Sequence, residues 1–236
     1  MHYDGGTSQI TQTGKELRKL KMKTHVRSAT LCLGLLLMLS ISVPCMATYS
    51  GLVLIPTADV LGQGEYCIEP QIDDTFGGDE SATRILNFQF GLTPRFEMGL
   101  DFDVSDEADT RSYLNAKYLA VAGGENKPAV ALGICNIGKN SSSSPYIVGT
   151  QEFTSVRAHL GVMRIDRKNR LFIGADRPVS DKLTLMADYT AGDENYSSVG
   201  FDYAVTEKFS IFGGILIPND SDADTGFSLH LVFSGP

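Results

Sequence analysis

Histidine and cysteine are the residue types best suited to catalysis or metal binding, and the chain beyond residue 47 holds two of each. His159 and His230 lie far apart in sequence, and neither is close to Cys67 or Cys135. The sequence contains no HExxH, CxxC, GxSxG, P-loop or dinucleotide-binding motif, so no pair has the spacing of a known site. We therefore predict no catalytic residue, no metal and no cofactor, and we expect two unpaired thiols.

Carboxylates are the reactive side chains that the sequence supplies in number. The chain has 28 acids against 20 bases, a formal net charge of −8, which argues against a nucleic-acid partner. Many of these acids alternate with bulky apolar residues, and alternation places them on the opposite face of a strand. The charged side chains predicted to share this polar face are Glu65, Glu69, Glu97, Asp101, Asp103, Asp176, Asp188, Asp202, Lys117 and Arg157.

The elements that must position these side chains are strands, because the pattern from about residue 63 onward has a period of two. Phe96, Met98 and Leu100, for example, alternate with Glu97 and Gly99. No window sustains a helical stripe, so the sequence predicts an all-β protein. Twelve strands are predicted near residues 63–72, 83–91, 95–104, 112–121, 128–137, 145–151, 154–163, 170–177, 182–190, 196–204, 208–217 and 225–233.

The predicted connections are of two kinds that alternate along the chain. Those at residues 92–94, 178–181 and 205–207 are tight, whereas "DDTFGGDESA" from Asp73 and "IDRKNR" from Ile165 are longer and polar. Short turns at one end and longer loops at the other are typical of an up-and-down meander. With strands of about ten alternating residues, this predicts a single antiparallel transmembrane β-barrel of about twelve strands.

A soluble β-sandwich or soluble barrel is the alternative architecture. Its outward-facing positions would be rich in Lys and Glu. Here the polar positions are mostly small or acidic, as at Gly99, Gly133, Gly161, Gly174 and Gly200. The apolar positions are bulky on nearly every predicted strand, and a single dense apolar face around the sheet is better suited to contact with lipid.

The first 47 residues have the layout of an export signal. Lys23 and Arg27 precede an apolar run from Ala29 to Val43, and Cys45-Met46-Ala47 fits a cleavage site. The run is shorter than the roughly 20 residues of a membrane-spanning helix. We therefore predict an N-terminal extension and signal peptide over residues 1–47, cleaved after Ala47, and a protein exported to the outer membrane of a diderm bacterium.

Residues 48–62 precede the barrel, which we assign to residues 63–236. This segment lacks alternation, and Pro56 limits it as a strand, so we expect a lead-in or plug on the periplasmic side. Within "GLVLIPTADVLGQG", Gly51, Leu52, Pro56, Thr57, Ala58 and Gly64 resemble the opening of YjbH-type outer-membrane proteins. That resemblance implies a barrel associated with exopolysaccharide production.

The function predicted from these features is that of a porin-like passive pore, or of an envelope polysaccharide-associated barrel, with an acidic lumen. A water-filled acidic lumen would attract small cations, whereas in a narrow lumen the acids would need partners. The expected partners are outer-membrane lipid, the outer-membrane assembly machinery and either polysaccharide or small cations. The alternatives are a non-conducting adhesion barrel that acts through acidic surface loops, and an outer-membrane hydrolase that uses His159 or His230.

Overall fold

Twelve β-strands account for most of the chain in a computed structural model that describes residues 51–77, 82–105, 110–139 and 141–236. Every strand predicted from alternation is present, and the bounds differ by at most three residues. The strands are β1 Tyr66–Thr75, β2 Thr83–Thr93, β3 Phe96–Asp103, β4 Arg111–Val121, β5 Ala129–Ile137, β6 Ser144–Glu152, β7 Arg157–Ile165, β8 Lys168–Ser180, β9 Leu183–Thr190, β10 Tyr196–Thr206, β11 Phe209–Pro218 and β12 Gly226–Gly235.

The sheet is a closed antiparallel barrel in which each strand pairs with the next one in the chain. Closure is completed by β1 and β12, whose register runs from Tyr66 opposite Gly235 to Thr75 opposite Gly226. A closed single sheet excludes the β-sandwich and confirms the predicted up-and-down barrel of twelve strands. Over the described residues, no helix combines the length and the apolar character needed to cross a membrane.

The two faces of the sheet differ sharply in chemistry. Large apolar side chains such as Leu160, Ile173 and Val199 point outward and are more than half exposed. Their neighbours along each strand point inward and are buried, and many of these are polar, as with His159 and Ser198. This inside-out arrangement is the reverse of a water-soluble core and follows from the two-residue period of each strand.

Two-residue turns connect several strands at one end of the barrel, which we call the short-turn end, and longer loops lie at the opposite, long-loop end. The connection after β7 departs from our expectation of a longer polar loop, because β7 and β8 extend to a two-residue turn. Asp166 and Arg167 form that turn with φ angles of 45° and 68°. Left-handed conformations at both central residues match the twist of a β-hairpin.

Among the other strand boundaries that differ from the predicted ones, the end of β8 and the start of β1 do so for local reasons. Strand β8 continues through Pro178 to Ser180, where a register shift against β9 accommodates a residue that cannot donate to the ladder. Strand β1 begins at Tyr66 because residues 62–65 form a turn, in which Gly64 adopts a φ of 88° that favours glycine.

Residues 51–64, here called the inner segment, lie within the barrel instead of forming a strand. The side chains of Leu52, Ile55, Ala58 and Leu61 are at most 5% exposed. The segment reaches the wall at the short-turn end, where Gly64 donates its N–H to the carbonyl of Gly91. The predicted signal peptide and cleavage site lie in residues 1–47, outside the described residues.

Candidate functional site: the barrel lumen

All ten charged side chains predicted on the polar face lie on the inward side of the barrel or at its mouths. Three of them, Glu65, Asp103 and Arg157, are half-buried near the ends of strands. The buried members are Glu69, Glu97, Asp101, Lys117, Asp176, Asp188 and Asp202. Because unpaired charge is costly in a closed space, the partners of each acid decide what the lumen can do.

Wall side chains accept backbone N–H groups of the inner segment at three points. The N–H of Leu54 donates to Asp188 at 3.2 Å, and the N–H of Leu61 donates to Glu97 at 2.7 Å. Between them, the N–H of Ala58 donates to the hydroxyl of Thr150 at 2.9 Å. Two of the predicted lumen acids therefore accept hydrogen bonds from the chain's own N-terminal region.

Ion pairs reinforce this attachment through two basic residues. Lys117 lies 3.2 Å from Glu97 and also donates to the backbone carbonyl of Asp59 at 2.8 Å. Arg157 bridges the inner segment and the wall, at 2.9 Å from Asp59 and 3.1 Å from Asp176. The two bases predicted for the lumen thus both contact Asp59 of the inner segment. Glu65, by contrast, accepts the N–H of Gly62 at 2.6 Å and stabilises the turn where the segment leaves the lumen.

Three inward-facing glycines form a recess for the apolar side chains of the inner segment. A Cβ atom on Gly174 would lie 2.6 Å from the Cδ1 atoms of both Ile55 and Leu52. A Cβ atom on Gly214 would lie 2.9 Å from Val53, and Gly200 contacts the same side chain. These three positions of the polar face therefore hold glycine at the places where the inner segment approaches the wall closely.

The lumen also contains a hydrophobic core that the alternation pattern did not predict. Inward side chains of the wall pack with the inner segment in one cluster, which contains Phe172, Met186 and Phe212. Phe172 is 1% exposed. Full burial of such a side chain contributes roughly 1.5–3 kcal/mol relative to exposure in water. The lumen is thus a mixed polar and apolar interior, in contrast to the mostly small or acidic one that we expected.

Each lumen histidine sits between a hydroxyl and a carboxylate, although the sequence indicated isolated polar residues. His159 Nδ1 lies 2.9 Å from Thr150 Oγ1, and its Nε2 lies 2.6 Å from Asp176. One assignment of donors satisfies this series of hydrogen bonds with a neutral imidazole. The Thr150 hydroxyl accepts the N–H of Ala58 and donates to His159 Nδ1, and His159 Nε2–H donates to Asp176. His159 thereby connects the inner-segment anchor Thr150 to the wall carboxylate.

The second histidine joins the last strand to the first. His230 Nδ1 contacts Glu69 Oε1 across the β1–β12 pair, and its Nε2 lies 2.6 Å from Ser228 Oγ. Ser228 also donates to Asp73 at 2.5 Å, and Gln71 donates to the other oxygen of Asp73 at 2.7 Å. Because the serine hydroxyl lies between an imidazole and a carboxylate, these contacts connect the two strands where the barrel closes.

Three acids keep one carboxylate oxygen that is buried and has no hydrogen-bond partner among the described residues: Asp101, Asp188 and Asp202. Asp101 uses its other oxygen to accept from Asn115 at 2.6 Å. The side chains of all three are at most 8% exposed. These three acids differ from Glu97, Asp176 and Glu69, which have basic partners. The nearest polar side chains to Asp188 and Asp202 are the hydroxyls of Ser198 and Ser210. Asp103 differs again, because it accepts from both the backbone and the hydroxyl of Ser105 near the long-loop end.

Two cavities adjoin the lumen contents. A crevice of about 460 Å³ opens at the short-turn end beside Ala58, Asp59 and Val60, against the β4–β5 loop. A cavity of about 20 Å³ lies deeper, lined by Gln89, Glu97, Lys117 and Tyr146 among others, and its volume suits a single water molecule. The larger of these two cavities leaves open space beside the inner segment at the short-turn mouth.

No metal-binding cluster organises the described part of the lumen. Within those residues, no three His, Cys, Asp or Glu side chains gather in a way that could hold a metal ion. Cys67 is buried on β1, and Cys135 is half-buried on β5. Our expectation of two unpaired thiols stays a prediction. The chemistry of the lumen therefore depends on carboxylates, hydroxyls and the two imidazoles.

Comparison with solved structures agrees with this architecture. A structure of the KdgM porin aligns with a TM-score of 0.58 at 13% sequence identity, covering 72% of this chain and 99% of the porin. The chain has the fold of the KdgM porin. A second structure, the KdgM porin in complex with disordered oligogalacturonate, aligns with a TM-score of 0.56 at 13% identity, covering 73% of this chain and 99% of that porin. No protein-family model and no curated protein sequence matches the chain.

Proposed function

We propose that the protein is an outer-membrane barrel that acts as a porin-like passive pore with a preference for cations. The membrane assignment rests on the outward face, where large apolar side chains are exposed all around a closed sheet. Water-soluble monomers rarely expose contiguous apolar patches larger than a few hundred Å². Closure also meets the requirement that lipid imposes, since no strand edge is left without backbone partners.

The observation that carries the cation preference is the set of buried carboxylates with an unpartnered oxygen. Asp101, Asp188 and Asp202 each present such an oxygen on the inward face. Lys117 and Arg157 are already engaged with Glu97, Asp176 and Asp59. A cation that passes these acids would complete their unsatisfied coordination, whereas an anion would be repelled.

This charge pattern bears on the comparison with the oligogalacturonate complex. Oligogalacturonate is a polyanion, and the surplus of acids in this lumen would oppose its entry. We therefore propose that the present barrel admits small cations or uncharged solutes in place of acidic oligosaccharides. The expected link to exopolysaccharide production, which comes from the likeness of residues 51–64 to YjbH-type proteins, stays a prediction, and an uncharged glycan would suit it best.

The test is ion selectivity in planar lipid bilayers under a KCl gradient. The reversal potential of the unmodified protein should have the sign of a cation-selective pore. It should move toward zero in the variants Asp101→Asn and Asp202→Asn, and in the half-buried Asp103→Asn to a smaller extent. Asp181→Asn, at an exposed turn, is the matched control and should leave the reversal potential unchanged. Anion selectivity in the unmodified protein would overturn the proposal.

Location is tested separately by fractionation. The protein should be found with outer membranes and should migrate differently on gels before and after heating, because folded barrels resist detergent. Detection of the protein in the soluble periplasmic fraction would contradict the membrane assignment.

A non-conducting adhesion barrel is the second candidate, and the occupied lumen favours it. The inner segment reaches from the short-turn end to the middle of the barrel, where Leu52 and Ile55 are almost completely buried beside Gly174. A barrel closed in this way could act through its exterior loops, of which the β11–β12 loop contains Asp220, Asp222 and Asp224. The absence of current under all conditions, including those that release the inner segment, would favour this function over the pore.

A further inference from the structure

We propose that the inner segment, residues 51–64, is a plug that closes the lumen and that moves out of the lumen to admit solutes. This inference rests on the proposed pore function and adds the regulation of that pore. It depends on how the segment is attached, what it covers and where it could pivot.

The attachment is separable from the barrel wall. All twelve strand pairs close the sheet without any contribution from the inner segment. Among the described residues, the segment's only strand-like bridge joins Gly51 to Pro56 within itself. Its backbone is held mainly by side chains, through Asp188, Thr150 and Glu97. Release of the segment therefore breaks no bond of the barrel ladder, and the wall can remain folded.

The segment's departure would uncover acidic groups. Asp188 accepts the N–H of Leu54 with one oxygen while its other oxygen has no partner. Glu97 accepts the N–H of Leu61 and pairs with Lys117. Both carboxylates would lose a donor and face the open lumen. The groups that anchor the plug are thus the groups that would interact with a permeating cation.

A pivot exists at the short-turn end. Gly62 and Gly64 flank Gln63 where the segment leaves the wall, and Gly64 adopts a φ of 88°. Hinges are a few loop or terminal residues that absorb changes in backbone angle. The crevice of about 460 Å³ beside Ala58, Asp59 and Val60 opens at the same mouth. The segment therefore has both a hinge and adjacent free space on the side toward which it would withdraw.

The glycine recess allows the plug to be locked by a disulfide. Gly214 is placed so that an added Cβ would lie 2.9 Å and 3.1 Å from the two Cγ atoms of Val53, close enough for a bridge between cysteines at the two positions. The test uses the full chain with Cys67→Ser and Cys135→Ser, to which Val53→Cys and Gly214→Cys are added. Mass spectrometry establishes that the two new cysteines pair, and heat-modifiable gel migration establishes folding. Each single variant is the matched control.

Conductance in planar bilayers is the first readout. The reduced double variant should conduct, and oxidation should lower its current to that of the bare bilayer, whereas neither single variant should respond to the redox state. Equal, non-zero currents from the oxidised and reduced double variant would overturn the plug while leaving the pore function intact.

Thiol labelling is the second readout and is independent of current. A maleimide that carries a polyethylene glycol chain is too large to enter a filled lumen. In the single variant Val53→Cys it should react slowly but completely, with Glu207→Cys at an exposed turn as the fast control. A failure of Val53→Cys to react would overturn the plug's displacement. Labelling of Val53→Cys without current in any variant would instead support displacement of the inner segment and contradict the proposed pore function.

Discussion

His230 of β12 contacts Glu69 of β1 through its Nδ1 atom, so the last strand of the barrel is joined to the first by side chains as well as by the backbone ladder. Both residues face the lumen and are at most 5% exposed. The closure of a meander depends on this one non-local pairing, because every other strand pairs with a neighbour in sequence. The contact therefore strengthens the part of the barrel that forms across the largest separation along the chain.

Replacement of His230 should weaken this closure. In the variant His230→Ala the buried Glu69 carboxylate loses its imidazole partner, and removal of one member of a buried pair costs about 3–5 kcal/mol. The free energy of unfolding, measured by urea denaturation in lipid vesicles, should fall by that amount. His230→Gln, which keeps a hydrogen-bonding group, should lose less. An unchanged urea midpoint for His230→Ala would contradict this role.

The same Asp-to-Asn change should have opposite effects at two lumen positions. Asp101 carries a buried unpartnered oxygen, so Asp101→Asn should raise the free energy of unfolding by about 1–2 kcal/mol, because it removes a poorly satisfied buried charge. Asp176 contacts both Arg157 and His159, and Asp176→Asn should lower that free energy by about 3 kcal/mol or more. Urea denaturation of the two variants side by side measures both signs. Destabilisation by Asp101→Asn of the same size as by Asp176→Asn would show that the two carboxylates are equally well satisfied.

A bulky residue in the glycine recess should expel the inner segment. Because an added Cβ at Gly174 would lie 2.6 Å from Ile55 and Leu52, Gly174→Leu cannot coexist with the present packing; overpacking of this kind costs about 1–3 kcal/mol. Proteinase K should cleave within residues 51–64 faster than in the unmodified protein, as followed by mass spectrometry. Gly99→Ala is the control, since this lumen glycine faces Asn115 and Gln89 instead. Cleavage rates that are the same in all three proteins would argue against the recess.

The two-residue turn after β7 should be improved by glycine. Arg167 has a φ of 68°, and a left-handed conformation costs a residue with a side chain about 1–2 kcal/mol. Arg167→Gly should therefore raise the free energy of unfolding by about 1 kcal/mol. Lys208→Gly, at a turn residue without a positive φ, should instead lower it slightly. A decrease for Arg167→Gly would mean that the arginine makes a contribution that outweighs its strain.

The long-loop end contains an acid whose titration should be unusual. The backbone hydrogen bond of Glu194 and the neighbouring Arg170 guanidinium lower the pKa of Glu194 from 4.5 to about 2. Because the folded pKa lies below the ordinary value, the associated stabilisation is present above pH 4.5 and is lost as the pH falls toward 2. In Arg170→Gln the pKa, followed by carboxyl carbon NMR, should rise but stay below 4.5, since the backbone bond remains. An unchanged pKa would assign the whole shift to the backbone.

The strands could be predicted closely because their signal is local. Alternation at Phe96–Asp103 or Leu183–Thr190 depends only on neighbours in sequence, and the two-residue period follows from backbone geometry. The two-residue turn at Asp166 and Arg167 was not predicted, because the polar stretch "IDRKNR" indicates a longer loop. The composition of such a stretch is the same whether or not the flanking strands extend into it. Strand length there is decided by pairing between β7 and β8, which a single segment does not encode.

The inward position of the ten charged residues was predictable in the same way, but their partners were not. Glu97 and Lys117 face each other across β3 and β4, and His230 reaches Glu69 only because the barrel closes. The sequence likewise offered no sign that Thr150 receives the N–H of Ala58. Such contacts join residues that are distant in the chain and depend on the barrel's closure and register.

The sequence by itself determined an antiparallel barrel of twelve strands, its apolar exterior and the inward position of the alternating polar residues, because each of these is a periodic property of short segments. Only the tertiary structure decided that the inner segment occupies the lumen, which acids accept its N–H groups and which acids keep an unpartnered oxygen. The physical reason is that residues 51–64 have no strand pattern of their own. Their position depends on a recess, formed by Gly174, Gly200 and Gly214, that exists only once β8, β10 and β11 are assembled.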